Sequence, residues 1–334
     1  MNQKKYIGHP SQLYGVEEHR LVGGKGDGMR LFQVKNGKGV ELTISADRCA
    51  DIARLSFKGM NIGYFSPCGY VAPAYYDDQE AGFLKSFTAG FLTTCGLRAA
   101  GSPCEDGGEK FPLHGTVGNL PAEHIYWEEE EDCLHVKALV RDENIFGAKM
   151  VLQRDICCSL KENKITLHDR VLNCGDKTEP VMLLYHMNMG YPLLSEKAQL
   201  YVPSKEVAPR DDWAAQGIGQ WMEIPAPQAG FAEQCFYHKF EGEGKAGIFN
   251  TEENAGLLIS FDTKQLPYFT QWKMLGERDY VMGLEPGNCY PDGRAVMRER
   301  GELSFLEPGQ AADFEVVIRM ADGAEEWKKL TGGQ

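Results

Sequence analysis

Apolar and polar residues alternate with period two through most of this chain, a pattern that half-buried β-strands satisfy and helices do not. Leu134, Val136, Ala138 and Val140 share one face, with His135, Lys137 and Arg141 opposite. Ile165, Leu167 and Val171 alternate with Thr166, His168 and Arg170, and Phe314, Val316, Ile318 and Met320 repeat the pattern near the end. Short turn clusters separate such runs: Asn36-Gly37-Lys38-Gly39, Lys161-Glu162-Asn163, Asn173-Cys174-Gly175-Asp176 and Glu241-Gly242-Glu243-Gly244. With 38 glycines, they predict an all-β sandwich or barrel. Helical pattern is scarce, limited to a short helix around residues 79–87 and a terminal turn near 324–330. No low-complexity linker divides the 334 residues, so one domain is expected. The longest irregular stretches are 99–112 and 204–228, lengths that in a compact domain usually serve function.

Charge narrows the partners. A net charge of −13 argues against nucleic acid or an anionic membrane, which both need a basic footprint. The start, Met1 to Tyr6, is polar and leads into no apolar run, and no apolar stretch reaches the length of a spanning helix. Ten irregularly spaced cysteines, without Cys-x-x-Cys, predict reduced, mostly buried thiols in a cytoplasmic protein and no metal site. The Gly23–Gly28 run lacks the ending of a phosphate loop and has no helix after it. No cofactor is expected.

Three segments place titratable groups in or beside apolar runs, where ionisation is costly unless it is used. In the strand 181–189, His186 and Asn188 share one face of a very apolar run that ends at Gly190-Tyr191-Pro192. His114 sits in Phe111-Pro112-Leu113-His114-Gly115, fixed in direction by its neighbours but little packed. Glu285 closes the run Tyr280–Leu284 against Pro286, at a sheet rim where partial desolvation raises a carboxylate towards useful base strength. Two imidazoles and a carboxylate suffice to move protons on and off a small polar substrate.

In this order, Leu113-His114-Gly115, Tyr185-His186-Met187-Asn188 and Leu284-Glu285-Pro286, followed by Pro291-Asp292, resemble the aldose 1-epimerases (galactose mutarotase-like). Phe91–Leu97, Asp47-Arg48 and Phe269-Thr270-Gln271-Trp272 are similar to a less characterised branch of that superfamily. The resemblance spans roughly residues 20–320. It implies a large antiparallel β-sandwich (a galactose mutarotase-like supersandwich), an open cleft, a small-molecule sugar and no cofactor. It also implies that Glu285 takes the anomeric proton, that His186 protonates the ring oxygen, and that His114 binds hydroxyls or assists as a donor.

The family's arginine near Leu-His-Gly has no counterpart in Gly115–Asn119, and Arg98 is the substitute upstream. Its loop aspartate corresponds to Asp211 or Asp212. Trp272 is a candidate for stacking on a sugar, with Gln271 or Lys273 on its hydroxyls; Asn119, Asn188 and Arg48 complete the substrate-binding candidates, Arg48 also being a structural partner for Asp51. Two alternatives use the same scaffold. One is a non-catalytic carbohydrate-binding protein; the other is a phosphosugar 1-epimerase, which needs several cations such as Arg98, Lys273 and Arg294 to converge.

Overall fold

A computed structural model describes residues 5–333; the polar start Met1–Lys4 lies outside them. The alternating runs become strands of three antiparallel sheets. In an eight-stranded sheet, Ala122–Glu130, Cys133–Glu143, Lys149–Ser159 and Lys164–Asn173 lie side by side in chain order. The last of these pairs with Ala311–Asp322, beyond which come Ala255–Asp262, Glu243–Asn250 and Ala198–Tyr201. A seven-stranded sheet contains Gln234–Lys239, Tyr268–Leu275, Tyr280–Gly287 and Glu179–Met189, with Leu92–Leu97 also paired to the last. A five-stranded sheet is built from the segment Gly15–Asn61.

The inward faces meet in one core. Leu42 and Ile44 of the small sheet, Leu134, Leu152, Leu167 and Ile318 of the eight-stranded sheet, and Tyr185, Met187, Phe269 and Leu284 of the seven-stranded sheet belong to a single buried cluster. Every residue of Glu179–Met189 is buried, as expected for a central strand with both faces covered. The Glu131-Asp132 turn has positive φ at both residues (49° and 64°), the geometry that closes a two-residue hairpin.

One polar cluster crosses this core. Arg154, wholly buried, forks onto Asp169 through Nε (2.9 Å) and Nη2 (2.6 Å). It also donates through Nη1 to Asp51 (2.6 Å) and through Nη2 to Thr94 Oγ1 (2.8 Å). Asp51 takes the Thr94 N–H (2.8 Å), and Tyr185 donates its hydroxyl to Asp169 (3.0 Å). Burial raises the Asp51 carboxyl above its usual range, against the pull of Arg154. All three sheets are thereby joined, and Tyr185 is held one residue before His186.

The helix near 324–330 is present as Ala324–Thr331, whereas 79–87 forms only a 3-10 turn at Gly82–Lys85. The irregular stretches are less irregular than expected: 99–112 contains the hairpin Cys104–Asp106/Glu109–Phe111, and 204–228 contains the strand Glu206–Pro209 and the helix Asp212–Gln216. The expectation of ten thiols is corrected at one pair. Cys133 and Cys157 form a disulfide, because antiparallel pairing sets Cys157 opposite His135, two residues from Cys133 on the same face. Among the described residues no helix is long and apolar enough to cross a membrane.

Removing Arg154 strands two buried carboxylates. Arg154→Met should cost roughly 3–5 kcal/mol in urea unfolding; a loss below about 1 kcal/mol would show that the cluster does not hold the sheets.

Candidate active site

Antiparallel register brings the central histidine to the carboxylate. The pairs Leu184–Gly287 and Met187–Leu284 flank the position at which His186 lies across from Glu285. Thr93 is the partner of His186 on its other side, and Thr270 the partner of Glu285. His186 Nε2 lies 3.3 Å from Glu285 Oε1, with both side chains almost completely buried. Gly283 makes the space: a Cβ there would overlap Glu285 Oε1 and stand 3.0 Å from Trp272 Cβ.

His114 arrives from a loop. Its backbone adopts a φ of 62°, with its N–H bonded to Gly101 O (2.8 Å) and its carbonyl to Gly96 N–H (3.2 Å). Gly115 also has positive φ (72°), and a Cβ there would overlap the carbonyls of Ala99 and Gly96, so only glycine fits. Arg48 stiffens the surroundings from below. It donates to the carbonyls of Gly118 (3.0 Å), Val71 (3.0 Å) and Ser86 (3.2 Å), and is a brace for three loops rather than a partner of Asp51.

The rings converge. His186 lies 5.3 Å from His114, 5.2 Å from Trp272 and 5.4 Å from Phe87 between centroids, and Phe83 stands 5.1 Å from His114. Within this aromatic enclosure, Nδ1 of His114, Nδ1 of His186, Oε1 of Glu285, Oδ1 of Asn188 and Oγ1 of Thr270 are buried without a hydrogen-bond partner. Buried polar atoms are almost always bonded, so five unmatched ones in a single cluster are the feature of this region that calls for an explanation.

Desolvation sets the charges. Burial pulls the His186 imidazole down to about 4. His114 is driven well below its ordinary value by burial, then by the charges of His186 and Arg210. Glu285 is pushed well above the carboxylate range by burial and by Glu233, with Arg210 opposing. Both shifts run the same way, favouring a neutral imidazole on His186 and a protonated carboxyl on Glu285.

The other sequence candidates separate. Trp272 faces the cluster and donates its indole N–H to Glu233 (2.7 Å). Asn188 is buried beside His186 and donates to that residue's carbonyl (3.0 Å). Gln271 and Lys273 point to the opposite face of the sheet, bonded to Trp221 O and Gln220 O, both at 2.8 Å. Burial lowers the Lys273 amine to about 8. Asp211 caps the helix Asp212–Gln216 through Ala214 N–H (2.8 Å), and Asp212 is exposed in its first turn. Arg98 is bound by Glu109 (2.7 Å) and Glu179 (2.9 Å), on the wall of a separate cavity of about 760 Å³ that none of His114, His186 and Glu285 lines. Arg294 is paired to Asp106 (2.5 Å) and shares the Phe111 ring with Arg98 (4.4 and 5.4 Å to its centroid), whereas Lys273 is held elsewhere by Gln220 O, so the three cations do not meet at one place. Asn119 is buried on the turn Val117–Asn119, its amide without a partner.

Sequence reasoning passed over Arg210, Glu233 and the Phe83/Phe87 wall. Arg210 adjoins the two aspartates that were singled out, and its charge acts on both His114 and Glu285.

A family model described as Domain of unknown function (DUF4432) matches residues 26–320, and the chain belongs to that family. No curated protein matches it. Among solved structures, a candidate aldose 1-epimerase from Klebsiella pneumoniae subsp. pneumoniae MGH 78578 is 25% identical with a TM-score of 0.90, over 99% of this chain and 89% of that one. A galactose mutarotase-like protein from Clostridium acetobutylicum is 12% identical with a TM-score of 0.68, over 93% and 99% of the two chains. The galactose 1-epimerase from Lactobacillus acidophilus NCFM is 13% identical with a TM-score of 0.66, over 93% and 100%. The fold is galactose mutarotase-like.

His186 should titrate near 4 by NMR, far below the ordinary 6.5, and a midpoint above 6 would contradict the buried placement. The linked stability has a definite sign. The unfolded chain takes up this proton around 6.5 and the folded chain only around 4, so the contribution is present above 6.5 and lost as pH falls across that window.

Proposed function

We propose that this member of the DUF4432 family interconverts the anomers of a monosaccharide or sugar derivative by acid–base ring opening, as an aldose 1-epimerase-like isomerase. The observation that carries the reading is the His186–Glu285 contact of 3.3 Å inside an enclosure of unmatched polar atoms.

Mutarotation requires one base and one acid, and a pair sharing one proton supplies both. With the proton on His186, Glu285 takes the anomeric O–H proton while His186 delivers its own to the ring oxygen. The bond from the anomeric carbon to the ring oxygen breaks, leaving an aldehyde and a free hydroxyl. The proton is now on Glu285 and His186 is neutral, the arrangement that burial favours. Rotation about the first carbon–carbon bond turns the other aldehyde face to that hydroxyl. Closure then runs the transfers backwards: His186 takes the hydroxyl proton and Glu285 returns one to the carbonyl oxygen. The pair ends with the single proton it began with.

The remaining groups bind. Trp272 offers an aromatic face, and His114, Asn188 and Thr270 offer hydrogen bonds to hydroxyls. Water exclusion by Phe83, Phe87 and Trp272 strengthens each of these contacts.

Anomer-exchange NMR over a sugar panel tests the reading. Glu285→Gln and His186→Asn should each lower exchange by about 10²–10⁴-fold. Both should still bind sugar, since the amides keep much of the shape. Parent rates in either variant would overturn the roles, and a parent protein that binds sugars without accelerating exchange would be a carbohydrate-binding protein. Gly283→Ala should behave similarly with the fold intact by circular dichroism, because its methyl displaces the Glu285 carboxylate.

The pH profile is a separate check. Activity requires the singly protonated pair, and a second proton enters only near 4. The acid limb of kcat/KM should lie near that value, and one near 6.5 would contradict the mechanism.

A further inference from the structure

Arg210 is held rigidly, and it shares its ion-pair partner with another arginine. Its N–H donates to Cys235 O (3.0 Å), and the next residue, Asp211, caps a helix, so both sides of its backbone are fixed. Its guanidinium reaches Ser102 Oγ through Nη2 (3.1 Å) and Cys235 Sγ through Nη1 (3.8 Å), which are both neutral. The nearest carboxylate is Asp292, 3.6 Å from Nε and beyond hydrogen-bond reach. Asp292 is already engaged by Arg300 (2.6 Å) and by the Tyr237 hydroxyl (2.5 Å). Arg98, by contrast, has two carboxylates within hydrogen-bond reach, Glu109 and Glu179.

The position matters as much as the charge. Cys235, over which the guanidinium lies, pairs with Trp272, and Trp272 pairs with Gly283, which houses the Glu285 carboxylate. Arg210 thus stands on the face of the sheet that carries the candidate site, close enough for its field to reach Glu285 and His114. On the same face Glu233 holds the Trp272 indole and remains exposed, a hydroxyl acceptor.

We propose that Arg210 is the specificity-determining residue of this candidate site, and that the sugar it selects carries a carboxylate, as a hexuronate does. The inference rests on the anomer-exchange reading of the same site. A guanidinium with free N–H donors and a counter-charge at 3.6 Å that it shares with Arg300 matches a carboxylate in a two-pronged hydrogen bond. A neutral sugar that shuts out water would leave the guanidinium with only the counter-charge it shares with Arg300. A phosphate ester offers the same anionic chemistry with nearly twice the charge. The next cation, Arg300, is already matched to Asp292, so a single arginine favours the carboxylate.

Exchange NMR on glucuronate, galacturonate, glucose, galactose and glucose 6-phosphate, with the parent, Arg210→Gln and Arg210→Lys, decides the matter. The parent should favour the hexuronates over their hexoses by at least about tenfold in kcat/KM, which is roughly one well-made charged hydrogen bond. Arg210→Gln should bring that ratio to about one, and Arg210→Lys should recover part of it. Equal handling of hexoses and hexuronates by the parent would overturn the inference while leaving anomer exchange intact. Preference for glucose 6-phosphate would overturn the carboxylate assignment. If no sugar is exchanged faster than in buffer, the isomerase reading fails, and saturation-transfer binding decides this inference alone. Glucuronate binding by the parent that Arg210→Gln loses supports it; no glucuronate binding overturns it.

Discussion

The buried Arg154 cluster is the constraint on which the site depends. A guanidinium this deep is stable only if each prong is answered, and the answers come from three sheets: Asp51, Asp169 and Thr94. Tyr185 completes the cluster through Asp169, and strand alternation then sends His186 to the opposite face, towards Glu285. A one-residue slip of that strand would bury His186 in the core and turn Tyr185 outwards, breaking the Asp169 bond at once. The ionic cluster and the candidate site are therefore the two faces of one strand. Arg48 does for the loops what Arg154 does for the sheets, tying the segments around His114 to the scaffold through three backbone carbonyls.

Burial then does the electrostatic tuning. The same enclosure that buries the two groups lowers His186 and raises Glu285, the directions an acid–base pair needs. Burial is the largest cause of both shifts. Both follow from placing the groups on the fully buried strand Glu179–Met189 and its neighbour Tyr280–Gly287, where Gly283 yields the space the carboxylate fills.

Much of this was legible in the chain. Alternation gave the sheets, and the short polar segments gave His114, His186 and Glu285, because a titratable residue in an apolar run is conspicuous. Gln271 and Lys273 were misplaced for a reason the same alternation contains: they share parity with Phe269 and Leu275, both core residues, and so point inwards with them. Asp211 sits just before Asp212-Trp213-Ala214-Ala215, a helix-cap signal outweighed by family analogy. Arg98 could not be assigned locally, because Glu109 and Glu179, which engage it, are distant in sequence. Arg210 and the Cys133–Cys157 bond were hidden likewise, since strand pairing alone reveals their neighbours.

The central claim is that His186 and Glu285 act as one proton-sharing unit. Anomer-exchange rates of Glu285→Gln, His186→Asn and the double variant, measured on one sugar, test it most directly. A unit fails once, so the double variant should be no slower than the slower single variant, within about threefold. If the two losses multiply instead, the residues act independently and the shared-proton account is contradicted.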